Sequence, residues 1–487
     1  MPRYELCEGN SNKFWEIELR GTSFTTTYGK IGANGQSTTK TFGSPAEATK
    51  EHDKLVGEKT KKGYALVGET KPSRPAATPE NAAAAKPSKR KTAPVDPSAA
   101  QADARNPELE KAIAANPTDR DAYAVFADWL QEQGDPRGEL ISLQLGNKDK
   151  SATQLIELHA AYFLGPLAEH QKTRDGLSNN SVSHLRSSAQ EKEWQKTAEK
   201  AFLWRHGFIY RARLSHDAYF DEAWQGKTVA VLDLLLQHPS GRYVVELSFM
   251  SNGDPNEGNL QDLIDLLAEK APTTIRKLTF GDNVDQISWH HTGNLGELWK
   301  AVPHLRTLEI ESGEFEVGAM DAPDLERAIF ITGGLSKTCG KHIATARLPK
   351  IKHLEVYYGD DQYGGDCTIE EVQPLLDRRD LANLEYLGLK NSKFANDIAK
   401  AIGGARVLET LKTLDLSQGT MTDEGAAALV AAKGSLKHLE CLDLSHNYLT
   451  KAGIKSVQGL AKTVITADMQ ETDEDGEDAY YYVAIAE

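Results

Sequence analysis

One short pattern near the end of the chain restricts what it can fold into. Leu384-Glu-Tyr-Leu-Gly-Leu389, Leu411-Lys-Thr-Leu-Asp-Leu416 and Leu439-Glu-Cys-Leu-Asp-Leu444 each read L-x-x-L-x-L, and their starts lie 27 and 28 residues apart. The last copy continues through Ser445, Asn447 and Leu449, and a helical segment follows each copy. A strand this short cannot bury its apolar side alone, whereas stacked copies form a continuous core. Run backward, the template finds Val244-x-x-Leu247-x-Phe249, Ile275-x-x-Leu278-x-Phe280 and Leu305-x-x-Leu308-x-Ile310. A degenerate Leu325-x-x-Ala328-x-Phe330 precedes Ile351-x-x-Leu354-x-Val356, and Gly207 to Leu214 reads as the first strand of the array. The spacing predicts about eight strands at irregular intervals, with helices such as Asn259 to Ala268, Thr368 to Leu376 and Asp423 to Ala432 covering one side.

With Asn447 in place, the pattern resembles a leucine-rich repeat. From Leu305 onward the chain is similar to a bacterial leucine-rich-repeat family of ribonuclease-inhibitor type, on Tyr363-Gly-Gly-Asp-Cys-Thr368, Tyr386-Leu-Gly-Leu-Lys-Asn-Ser392 and Asn447-Tyr-Leu449. The expected architecture is an α/β solenoid of about eight irregular repeats over residues 206–463. An acidic loop and a capping strand, Tyr480 to Ile485, are expected to close it within 464–487. The third, fifth and seventh positions of each copy point away from the core. They make Glu246, Lys277, Thr307, Glu309, Glu311, His353, Glu355, Tyr357, Tyr386, Lys390, Asp415 and Asp443 the candidate protein-binding residues of a concave face. Acids outnumber bases among them, so the expected partner is a protein with a basic or mixed surface.

Residues 1–70 read differently. Tyr4 to Leu6 and Phe14 to Leu19 alternate apolar and polar residues, as half-buried strands do, and Asn34-Gly35 signals a hairpin turn. Ser44-Pro-Ala-Glu47 reads as the capped start of a helix that runs through His52, Leu55 and Val56. Tyr28-Gly-Lys-Ile-Gly-Ala-Asn-Gly-Gln36, with Phe14-Trp15 before it and Lys61-Lys-Gly-Tyr64 after it, resembles a WGR domain. Tyr28-Gly29-Lys30 stands where that family has Trp-Gly-Arg. In nuclear poly(ADP-ribose) polymerases this domain contacts a DNA end, so the resemblance implies nucleic-acid contacts at Trp15, Tyr28 and Lys30. Tyrosine can still stack and lysine can still neutralise a phosphate, without the bidentate fork of arginine.

Between the two regions, 71–105 is rich in Pro, Ala and Lys and reads as a disordered linker. Its cluster Lys89, Arg90 and Lys91 is a further candidate nucleic-acid contact. Residues 106–205 read as a helical cap module, and Ala127-Asp-Trp-Leu-Gln-Glu-Gln-Gly-Asp-Pro-Arg137 resembles a small bacterial module that accompanies repeat domains. There Asp135 is expected to cap a helix, with Arg137 as its first-turn partner.

The chain carries 487 residues with a net charge of −15, no apolar run of membrane-spanning length and no signal-peptide core. Its four cysteines share no C-x-x-C spacing, which points to a reducing cytoplasm without disulfide or zinc framework. Stretches that imitate catalytic motifs fail in detail. Gly334 to His342 is near a P-loop but has one residue too many between its glycines and ends on His342 where a magnesium-binding hydroxyl belongs. Glu471, Asp473 and Asp475 have calcium-loop spacing without the closing glutamate. The expectation is therefore a non-enzymatic, cofactor-free scaffold or adaptor. The alternative is a DNA-end adaptor acting through the WGR-like domain.

Overall fold

The computed structural model describes residues 3–8, 11–30, 36–41, 49–50, 52, 55–56, 59, 65–66, 103–174, 200–217, 227–252, 260–281, 287–475 and 478–485. It divides into two units, Met1–Lys91 and Thr92–Glu487. The first is a five-stranded antiparallel sheet of β1 (Arg3–Glu8), β2 (Ser11–Arg20), β3 (Ser23–Lys30), β4 (Gln36–Thr41) and β5 (Ala65–Leu66), in the order β4-β3-β2-β1-β5. Alternation along β2 puts Trp15 and Ile17 into a small core with Phe24, and Leu55 and Val56 pack onto it from helical positions. The predicted turn at Asn34-Gly35 and helix cap at Ser44 lie outside the described residues.

The second unit is built on an eleven-stranded sheet. Its strands are β6 (Phe202–Arg205), β7 (Phe208–Asp217), β8 (Glu246–Asn252), β9 (Lys277–Phe280), β11 (Thr307–Glu311), β13 (Arg327–Ile331), β14 (His353–Gly359), β15 (Tyr386–Ser392), β16 (Thr413–Asp415), β17 (Cys441–Asp443) and β18 (Thr463–Ile465). They lie side by side in chain order, and every pairing is parallel except β6 with β7. Two further strands, β10 (His291–Asn294) and β12 (Glu314–Glu316), form a separate parallel pair.

The register superposes the fourth position of every copy: Leu247 on Leu278, Leu278 on Leu308, Leu308 on Ala328, and so on to Leu414 on Leu442. These residues and the first and sixth positions share one core with Leu263, Ile343, Val372, Ile398, Leu429 and Val457 of the helices on that side. Each fully buried leucine contributes about 1.5–3 kcal/mol. Turns into the helices are fixed by side-chain caps: Ser336, Thr368, Thr422 and Thr450 each accept a backbone N–H, and Thr368 forms a full capping box with Glu371. Buried Asn447 donates to the Leu416 and Leu444 carbonyls and accepts from the Met421 N–H, so it joins neighbouring copies through their backbones.

Upstream, helices Pro107–Ala115, Arg120–Glu132 and Pro136–Leu145 pack on Phe208 and Tyr243 at the β7 end of the sheet. Asp135 caps its helix as expected, but Arg137 is not its side-chain partner. The guanidinium is buried and reaches the Gly207 carbonyl at 2.7 Å and the Ser240 hydroxyl at 3.2 Å. Asp135 instead accepts from the Tyr162 hydroxyl.

The far end also departs from expectation. Tyr480 to Ile485 does not cap the array as a strand. β19 (Asp473–Asp475) and β20 (Asp478–Tyr480) form an antiparallel hairpin, and 481–485 follows without strand pairing. Its β-branched and aromatic composition signals extended backbone but not which groups satisfy that backbone.

Candidate recognition face of the parallel sheet

Side chains alternate along each strand, so the residues between the core positions share the opposite face. On β14 to β16 they meet in one network. His353 pairs in register with Tyr386, and their rings stack 4.0 Å apart. The Tyr386 hydroxyl donates to Asp415 at 2.6 Å. The Lys390 ammonium lies 3.1 Å from Glu355, 3.3 Å from Asp415 and 5.0 Å above the Tyr357 ring. Glu355 also accepts from the Tyr357 hydroxyl at 3.0 Å and lies 3.0 Å from His353 Nε2.

Gly388 makes this possible. It pairs in register with Glu355 on one side and Asp415 on the other. A Cβ there would stand 3.0 Å from Glu355 Cγ and 3.3 Å from both Lys390 Cδ and Tyr386 Cε1. The missing side chain is the space through which Lys390 and Tyr386 cross to neighbouring strands.

Burial raises the Glu355 pKa, but the His353 hydrogen bond and the Lys390 charge outweigh it and hold the carboxyl at about 2. Lys390 loses hydration, yet Tyr357, Asp415 and Glu355 push its pKa up. Burial and the neighbouring Asp415 raise Asp443. A depressed carboxyl stabilises the fold above its unfolded pKa, and that contribution disappears as pH falls toward the folded value. Glu355 should therefore account for about 2 kcal/mol of the stability lost between pH 5 and pH 3. Denaturant titrations at the two pH values check this: Glu355→Gln is expected to lose less on acidification than the unsubstituted chain.

The remaining predicted residues take the same face with varied exposure. Glu309 lies 2.6 Å from Lys277 and 3.7 Å from Arg327, while Thr307 is half-buried between those two cations in register. Glu246 and Asp443 are half-buried, and Glu311 is fully buried. Glu309 and Glu355 are each 9% exposed and Asp415 is 5% exposed, so these acids face one another's counter-charges more than solvent. Reading the leucine template alone also missed Arg211 and Arg213, which pair in register with Glu246 and Ser248. The alternation of Gly207 to Leu214 contained that signal. They bring the face closer to charge balance than the acidic surplus expected.

A cavity of about 340 Å³, lined by none of the network residues, is bordered by His291, Glu314, Glu316, Gly334, Ser336 and Tyr363. The stretch resembling a P-loop thus borders an acidic hollow that disfavours phosphate. Among the described residues no group of three His, Cys, Asp or Glu gathers to hold a metal ion, and no helix is long and apolar enough to cross a membrane.

In the first unit, Trp15 is 3% exposed and packs against Tyr4, with the Lys59 ammonium 5.6 Å from its ring centre. It is a core residue and cannot stack on a nucleotide. Tyr28 pairs in register with Trp15, and Lys30 with Lys13, through the β3 backbone. Lys89, Arg90 and Lys91 lie outside the described residues. Residues 3–71 match the WGR domain. Residues 407–430 and 435–457 match the Leucine Rich repeat, which places β16, β17 and their helices in that class. Two Escherichia coli proteins resemble the WGR domain alone. The uncharacterized protein YfeS is 42% identical over 62 residues, 13% of this chain and 25% of that protein. Protein YehF is 39% identical over 64 residues, 13% of this chain and 23% of that protein. The chain therefore spans about a quarter of the length of either relative. A crystal structure of a Bacteroides fragilis protein aligns over 96% of this chain and 97% of its own at 21% identity, with a TM-score of 0.47, too low to carry a functional conclusion.

Proposed function

We propose that the chain is a non-enzymatic adaptor: a leucine-rich-repeat solenoid of about eight copies binds a protein on its polar face, and the WGR domain brings a second ligand. One observation carries the reading. The titratable groups at the centre of the face are committed to each other, as in Glu355–Lys390–Asp415, which leaves there a fixed mosaic of hydrogen-bonding and aromatic groups. Such a surface favours a partner of mixed charge over a phosphate backbone.

The test uses half-buried positions in place of the buried acids. Thr413 and Cys441 are neighbours in register, and replacing both by arginine obstructs the face at a cost of about 0.5 kcal/mol each. Proteins retained from host extract by the immobilised full chain are expected to be lost with Thr413→Arg/Cys441→Arg, at nearly unchanged melting temperature. Unchanged retention overturns the assignment to this face. Salt-dependent anisotropy with blunt-ended DNA, flattened by about 0.9 in log-log slope in Lys30→Ala, would favour the DNA-end reading instead.

A further inference from the structure

The segment after the acidic hairpin is held across the ends of the strands by groups that address its backbone. The Lys393 ammonium donates to the Tyr481 carbonyl at 3.0 Å. The Tyr448 hydroxyl accepts from the Tyr482 N–H at 2.9 Å and lies 3.0 Å from the Tyr482 carbonyl. The Ala484 N–H donates to the Gln418 carbonyl at 3.0 Å. Buried Asn391 closes the series with a two-point grip, donating to the Ile485 carbonyl at 2.5 Å and accepting from its N–H at 2.8 Å.

These groups occupy related places in successive copies. Asn391, Gln418 and His446 each stand one residue past the seventh position of their copy, and all three have left-handed backbone, φ 52°, 68° and 54°. Three residues outside glycine in that conformation mark a shape imposed by the surrounding fold. Side-chain selection is sparse by contrast. Val483 and Ile485, two apart, are buried, whereas Ala484 between them and Tyr482 before them are exposed, Tyr482 at 47%. Ile485 enters an apolar cluster of Ile287, Ile329, Ile331 and Tyr357, which lies on the polar face of the sheet, apart from the main core.

We propose that this row is a peptide-binding groove that the chain fills with its own residues 481–485. Its ligand in trans is an extended segment of another protein with two branched aliphatic residues at alternate positions. Backbone hydrogen bonds supply affinity, and the apolar cluster around Ile485 together with the buried Val483 position supplies selection, the division of labour by which extended peptides are commonly recognised. The cis segment acts as a competitor at an effective concentration in the millimolar range, so a partner enters only when it is displaced. This rests on the protein-binding reading above and narrows it to a ligand class.

A labelled synthetic peptide of residues 478–487, Asp-Ala-Tyr-Tyr-Tyr-Val-Ala-Ile-Ala-Glu, is the probe, and the full chain with Ile485→Asp is the receptor. Fluorescence anisotropy is expected to give binding at least tenfold tighter than to the unsubstituted chain, and none for the same peptide carrying Ile485→Asp. A folded Ile485→Asp chain that ignores the peptide overturns the proposal. Should that variant fail to fold, amide exchange in the unsubstituted chain decides. Tyr482, Ala484 and Ile485 are expected to exchange at least a hundredfold faster than the β14 to β16 amides; equal protection makes the segment a fixed part of the fold. Neither measurement involves Thr413 or Cys441, so failure here leaves the outcome of the face substitutions independent.

Discussion

Lys390→Met is expected to cost about 3–5 kcal/mol at neutral pH, the range for removing one partner of a buried ion pair. Methionine keeps the apolar length of the side chain, so packing over Tyr357 is largely preserved. What it removes is the cation between Glu355 and Asp415, which lie on strands flanking β15 and are both nearly inaccessible. The loss should shrink on acidification, because the two orphaned carboxylates then protonate and no longer repel. A triple variant with Glu355→Gln and Asp415→Asn added should recover most of the stability, since amides tolerate the missing charge. Denaturant midpoints of the single and triple variants at pH 7 and pH 4 make the measurement. A pH-independent loss would mean that packing, rather than charge, accounts for the effect.

That network also marks where sequence reading runs out. The period of about 27 residues located β15 to β17 and the same template located β14, with their core leucines, because each copy must repeat the same burial. It also placed His353, Glu355, Tyr386, Lys390 and Asp415 on one face, since alternation is a local property. Who pairs with whom depends on register between copies, and the decisive residue, Gly388, carries no chemistry of its own. Its place at the fifth position of Leu384-Glu-Tyr-Leu-Gly-Leu389 was the available signal. β18 escaped the template because Ala461, Val464 and Thr466 stand where leucines were sought. Trp15 was misjudged for the opposite reason. Resemblance assigned it a ligand, while the alternation of its own strand already assigned it to the core with Ile17.

Arg137→Met should be nearly as damaging as Lys390→Met, about 3 kcal/mol or more, although among the described residues no carboxylate is bonded to the guanidinium. The side chain is 1% exposed and joins three parts of the second unit that are distant in sequence. It donates to the Gly207 carbonyl between β6 and β7, and both terminal nitrogens reach Ser240, whose hydroxyl in turn donates to Phe163 at 2.6 Å. Its plane lies 4.6 Å from the Phe208 ring centre and within 5.5 Å of Tyr162 and Phe163. A cation with aromatic faces around it and oxygens at its edge is stabilised without an ion-pair partner. Gly207 is part of the same joint. It has φ 82°, and a Cβ there would meet Ile141 at 2.5 Å, so the hairpin approaches the helix Pro136–Leu145 only as glycine. Methionine fills the volume but leaves the Gly207 carbonyl without its donor in a buried site, which is where the cost arises. Lysine keeps the charge and loses the fork, and should recover less than half of the stability. Hydrogen exchange is expected to show helices 107–145 opening before β14 to β17 in Arg137→Met, because the joint holds the cap to the first strands. Uniform loss of protection across the unit would assign the damage to the common core instead.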